Sequence, residues 1–139
     1  MIEIKDVPLD TVWRMRQQVM YPAFSIDQVK LPDDEAGVHL GIYVNDEVVS
    51  VVSVFITNGS LQFRKFATST ACQGKGYGSL LLQHVMQLAA ERHCTSVWCN
   101  ARTTAAGFYH RFGMQEKGDT WTQNGHVFVR MEKQLETGI

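Results

Sequence analysis

Glycines recur at every second position in Gln73-Gly74-Lys75-Gly76-Tyr77-Gly78-Ser79, between an extended segment and an apolar, helix-periodic one. The missing Cβ atoms leave the backbone open to a ligand and allow positive φ. The N–H groups of such a turn, with the unpaired ones of the helix start, face one way, and the helix dipole favours an anion there. Lys75 adds a positive charge at the rim. A glycine-rich connection holding nothing fits the same residues, because glycine spacing alone is a weak signal. Two phosphate motifs fail on spacing. A P-loop needs Gly-Lys-Ser/Thr, whereas Gly76 follows Lys75. A dinucleotide fingerprint needs its third glycine where Ser79 stands, and it opens a parallel βαβ unit.

The elements around the run must position it. Met1–Asp6 alternates as a short strand, and Leu9–Met20 repeats apolar residues at helical intervals through Leu9, Val12, Trp13 and Val19. Pro22, Pro32 and Asp33-Asp34-Glu35 mark a loop-rich connection. His39–Val44, Val48–Ile56 and Ser60–Thr68 read as strands joined by turns at Asn45-Asp46-Glu47 and Asn58-Gly59, an antiparallel meander. Behind the glycines, Leu81, Leu82, Val85, Met86, Leu88 and Ala89 predict an amphipathic helix over Ser79–His93. Ser96–Asn100 is a short apolar strand. Thr103–Phe112 reads as a helix with Thr103 or Thr104 as N-cap and Gly113 as its stop. Trp121–Gln123 and His126–Glu132 close as a hairpin around Asn124-Gly125. The predicted order is β-α-β-β-β-α-β-α-β-β.

Length and composition bound the function. With 139 residues and no linker or repeat, one domain over 1–135 with a frayed tail over 136–139 is expected. A hydrophobic share of 45% with 19% charged residues suits a globular chain. The net charge of −1 gives no electrostatic footprint for nucleic acid. No apolar run is long enough to span a bilayer, and Met1–Asp6 lacks a signal-peptide layout, so no membrane partner and a cytoplasmic location are expected. Cys72, Cys94 and Cys99 form no CxxC pair and read as reduced thiols, the last two in or beside the core. The histidines lack metal-site spacing, so no metal is expected.

The chain resembles the GNAT superfamily of acetyl-CoA-dependent N-acetyltransferases. Its hallmark, Gln/Arg-x-x-Gly-x-Gly/Ala at the start of the central helix, matches Gln73-Gly74-Lys75-Gly76-Tyr77-Gly78. Gln62–Thr68 is similar to the family's fourth strand, and 100–114 to its A-x-x-x-Tyr-x-x-x-Gly-Phe segment. The resemblance implies an α/β (α+β) fold, a mixed and mainly antiparallel central sheet flanked by helices. It implies acetyl-CoA as acetyl donor, with Phe66, Ala67 and Thr68 offering backbone groups to the pantetheine arm and Gly74–Ser79 holding the pyrophosphate after Gln73. Arg102 stands where many members have an Asn that contacts the pantetheine, and Asn100 could share that role. Tyr109 matches the tyrosine near the thioester sulfur, and is the catalytic candidate as well as a cofactor contact. Relatives are often homodimers.

The implied chemistry is direct attack of a small-molecule primary amine on the thioester, without an acyl-enzyme. No base is assigned: Val97-Trp98-Cys99 and Gln62–Thr68 carry no carboxylate, and His39, His126 and Glu35 merely flank predicted strands. Cys99 in an apolar strand reads as an inert core thiol. Arg14, Arg16 and Arg64 could meet an anionic acceptor, although solvated or salt-bridged arginines are the preferred reading. A non-catalytic acetyl-CoA-binding module and a protein-modifying acetyltransferase are the alternatives.

Overall fold

The computed structural model describes residues 1–135; the expected tail at 136–139 lies outside them. The strands are β1 (Ile2–Asp6), β2 (Val38–Val44), β3 (Glu47–Thr57), β4 (Ser60–Thr68), β5 (Ser96–Arg102), β6 (Gln115–Gln123) and β7 (His126–Gln134). They hydrogen-bond in the order β1-β2-β3-β4-β5-β7-β6. The β4–β5 pair is parallel, and the β1–β2, β2–β3, β5–β7 and β6–β7 pairs are antiparallel. The helices are α1 (Leu9–Met15), α2 (Ile26–Val29), α3 (Tyr77–Glu91) and α4 (Ala106–His110). Among the described residues no helix is long and apolar enough to cross a membrane.

The contacts divide the chain into two compact units, 1–55 with 65–85, and 56–64 with the remainder from 86. In the first unit Val7, Val12, Met15, Val51 and Ala67 form a buried cluster, with Val19, Met20, Tyr43 and Val48 packed on it. Here α1 does not stop at Met15. It runs into a π-helical turn over Arg16–Met20, closed by Tyr21 N–H donating to the Arg16 carbonyl at 3.1 Å. The loop-rich connection expected after Pro22 contains α2, a single turn held by a capping box between Ser25 and Gln28. In the second unit Leu61, Phe63, Val97, Cys99, Ala101, Met114, Val129 and Met131 are buried.

All three predicted hairpin turns are present, with Asn45 and Asp46, Asn58 and Gly59, and Asn124 and Gly125 at positive φ. Such primed turns match strand twist, which is why these dipeptides announce hairpins. Two expectations need correction. Neither Thr103 nor Thr104 caps α4: Thr103–Ala105 wind as a 3-10 turn, so α4 begins at Ala106 behind Ala105, without a side-chain cap. The sixth strand starts at Gln115, not Trp121, because every residue of β6 is exposed and no apolar alternation marks it.

Candidate functional site

The glycine-rich run forms the mouth of α3. Gly74 and Gly76 take φ +79° and +86°, and a Cβ built on either meets nothing within 4 Å. Both therefore need glycine for conformation, and both border open space. Gly78 lies inside the first turn of α3, which begins two residues earlier than Ser79. The leading N–H groups of this 15-residue helix have no partner within it. Residues 73–76 are exposed, Lys75 included.

The path from β4 into this mouth is fixed. Ser69 N–H donates to the Val49 carbonyl at 2.8 Å, and the Ser50 and Thr68 hydroxyls lie 2.9 Å apart. A 3-10 turn over Thr70–Cys72 follows, and Gln73 Nε2 reaches back to the Thr68 carbonyl at 3.1 Å. The Gln73 amide thus pins the loop that presents the glycines. Ala67 is buried in the first unit's core, so it can offer a ligand only backbone groups. Phe66 and Thr68 are half-buried beside it.

A break in β4 precedes these residues. Parallel pairing with β5 covers Ser60–Gln62 against Ser96–Trp98, and Lys65 then takes φ +55°. A non-glycine residue in that region marks a bulge. Lys65 Nζ donates to the Tyr21 hydroxyl at 2.7 Å and sits 4.9 Å from the Tyr21 ring centroid. Tyr21 stacks in turn on Phe24, centroids 5.0 Å apart and planes 5° from parallel. Nothing in the sequence flagged this trio, because neither a π-turn nor a Lys-centred bulge has a residue signature.

The second unit carries Asn100, Arg102 and Tyr109. Asn100 and Arg102 are exposed at the end of β5, opposite Arg130 and Phe128 of β7. Tyr109 is half-buried, its ring 5.8 Å from Phe63 and 5.2 Å from Phe108. The Cys99 side chain is its electrostatic neighbour. Burial, reinforced by Cys99, pushes the Tyr109 phenol well above its ordinary value, so at neutral pH it is an acid and not a base. Burial likewise pushes the Cys99 thiol up to about 12, the inert core cysteine that its strand suggested.

Arg16 is withdrawn from the acceptor arginines. It is fully buried and bidentate to Asp34 at 2.8 and 2.9 Å, and also donates to the Val29 carbonyl and Ser53 Oγ. His39, one of the flanking base candidates, is consumed by the same cluster. Its Nε2 donates to the Asp34 carbonyl at 2.7 Å, and its Nδ1 hydrogen-bonds the Ser53 hydroxyl at 2.8 Å. Glu35 and His126 are exposed. Among the described residues no group of three His, Cys, Asp or Glu side chains could hold a metal.

The family model for the acetyltransferase (GNAT) domain matches residues 17–135. The chain belongs to the GNAT acetyltransferase family. It is 30% identical over 128 residues to the uncharacterized N-acetyltransferase YitI of Bacillus subtilis, covering 86% of each chain. Its fold is similar to that of the Escherichia coli ribosomal-protein-S18-alanine N-acetyltransferase, with TM-score 0.81, 14% identity and coverage of 99% and 96%. It is also similar to a Bacillus subtilis acetyltransferase solved in complex with CoA, with TM-score 0.75, 16% identity and coverage of 97% and 98%. This GNAT protein is therefore an N-acetyltransferase, and the family's donor is acetyl-CoA.

Proposed function

We propose that this enzyme moves an acetyl group from acetyl-CoA directly to a primary amine of a small molecule. The observation that carries the reading is the mouth of α3, where Gly74 and Gly76 hold positive φ against open space ahead of unpaired helix N–H groups. That cradle suits a pyrophosphate: Gly74–Ser79 would hold it through backbone N–H groups, with Lys75 at the rim. Phe66, Ala67 and Thr68 would offer backbone groups to the pantetheine arm, and Asn100 and Arg102 would add polar contacts to it.

Bound acetyl-CoA supplies an activated carbonyl and a thiolate leaving group. In the transfer the amine nitrogen forms the new N–C bond and the C–S bond breaks. One amine proton leaves to water, because neither β4 nor β5 carries a carboxylate. A backbone N–H of β4 donates to the developing oxyanion. Tyr109, held protonated by burial, gives its proton to the departing sulfur and recovers one from solvent.

The test is thiol release from acetyl-CoA against a panel of small amines, with wild type and Tyr109→Phe. Turnover that falls about 10- to 100-fold in the variant supports the acid role. Tight CoA binding with no turnover of any small amine sinks the reading. The fold shared with the S18-alanine enzyme prompts a second acceptor, an amine of a protein, and a peptide arm in the same assay separates the two.

A further inference from the structure

Two unrelated departures from regular backbone meet at one place in the first unit. The π-turn over Arg16–Met20 delivers Tyr21 out of α1, and Lys65 takes φ +55° within β4. π-turns and bulges cost regular hydrogen bonding, and they gather at functional sites. Here both serve one contact, the 2.7 Å bond from Lys65 Nζ to the Tyr21 hydroxyl. Gln17 Nε2 donates to the Phe24 carbonyl at 2.7 Å and holds the loop that stacks Phe24 on Tyr21.

The polar balance of this trio is incomplete. Among the described residues Lys65 is paired with no carboxylate; its hydrogen-bond partner is a neutral phenol. Because the Tyr21 oxygen accepts from Lys65, its own proton stays free to donate, and the ammonium keeps two further N–H groups. The two donor atoms lie 2.7 Å apart, so each can meet one oxygen of a carboxylate. Beside them Phe24, stacked on Tyr21 by one face, is 43% exposed and offers apolar surface.

The proposed cofactor path says what reaches this place. From the pyrophosphate cradle at 74–79 the chain leads back through Thr68, Ala67 and Phe66, the proposed pantetheine contacts, to Lys65. The acyl end therefore arrives at the bulge. We infer that Lys65 and Tyr21 bind the carboxylate of the acceptor, and that this enzyme acetylates small amines that carry a carboxylate and an apolar side group resting on Phe24. This inference rests on the acetyl-transfer reading above.

Matched amines test it: L-phenylalanine against 2-phenylethylamine, L-methionine against 3-(methylthio)propylamine, and 2-aminoethyl phosphate against ethanolamine, each followed by thiol release. Wild type should favour the carboxylated member of each of the first two pairs by about tenfold or more in kcat/KM. That ratio should collapse towards unity in Lys65→Met, through KM more than kcat, be partly kept in Lys65→Arg, and drop severalfold in Tyr21→Phe. Acetyl-CoA binding by calorimetry reports that each variant is folded. Lys65→Asn, which tolerates positive φ, replaces any variant that is not. Equal turnover within the pairs, a ratio that survives Lys65→Met, or a stronger preference for the phosphate overturns the carboxylate assignment and leaves acetyl transfer standing. No turnover of any amine by a protein that binds acetyl-CoA overturns both.

Discussion

Arg16 and Lys65 are two cations of the same compact unit, each at a backbone irregularity, and the protein uses them in opposite ways. Arg16 opens the π-turn and points inward, where Asp34, Ser53 and the Val29 carbonyl accept from it. Asp34 is equally committed, taking the Trp13 indole and the Leu31 N–H besides the guanidinium. Lys65 opens outward at its bulge onto one neutral hydroxyl. A buried charge needs close partners, and the four hydrogen bonds that the two terminal guanidinium nitrogens donate mark Arg16 as structural, while its buried Nε has no partner. An ion pair that ties α1, α2 and the β2–β3 hairpin together leaves its charge to no substrate. The half-answered lysine keeps N–H groups to donate.

Removing one partner from each site should break this contrast most sharply. Asp34→Ala leaves the Arg16 guanidinium buried and uncompensated, and should cost about 3–5 kcal/mol of stability in urea unfolding. Lys65→Met should cost less than about 1 kcal/mol in the same experiment, because the bond it loses is partly in water. Similar losses from both would show that Lys65 too is built into the frame.

Acid sharpens the same comparison at about half that magnitude. Burial by itself pushes the Asp34 carboxyl up, but the hydrogen bonds from Arg16, the Leu31 N–H and Trp13 outweigh it and hold the group at about 2. A carboxyl depressed in the folded state stabilises above its unfolded value, and loses that contribution as pH falls towards the folded one. Roughly 2 kcal/mol should therefore disappear between about pH 4 and pH 2. Asp34→Asn should flatten this part of the pH–stability profile, and a profile unchanged by the substitution would mean that the acid transition belongs to other carboxylates.

The two cations also show what the sequence could and could not disclose. Turn chemistry is local, so Asn45-Asp46, Asn58-Gly59 and Asn124-Gly125 announced their hairpins, and the alternating glycines announced the mouth of α3. The family pattern rests on such local runs, and it led to the correct fold. The Arg16–Asp34 pair spans 18 residues and the Lys65–Tyr21 pair 44, and in both the partners belong to different elements, so no local period announces the contact. Both depend on a π-turn that residue types do not specify. α2 was legible in principle, since Ser25-x-x-Gln28 is a capping-box spacing, but a four-residue helix offers no apolar period to confirm it. β6 failed for the opposite reason. A strand exposed along its whole length has no buried face to write an alternation.

The smallest effect expected concerns two glycines that look alike on the surface. Neither Gly76 nor Gly107 has any atom within 4 Å of a built Cβ, so space does not separate them; conformation does. Gly76 holds φ +86° in the cradle, whereas Gly107 lies within α4. Alanine at 107 should leave stability unchanged or raise it by about 0.5–1 kcal/mol, because it reduces the freedom of the unfolded chain. Alanine at 76 should cost about 1 kcal/mol in strain, and should also weaken CoA binding, since the methyl enters the space proposed for the pyrophosphate. Calorimetric titration of CoA into both variants reads the difference. Unaltered affinity in Gly76→Ala would show that this glycine shapes the turn without facing the cofactor, and the phosphate contact would then belong to the first turn of α3 alone.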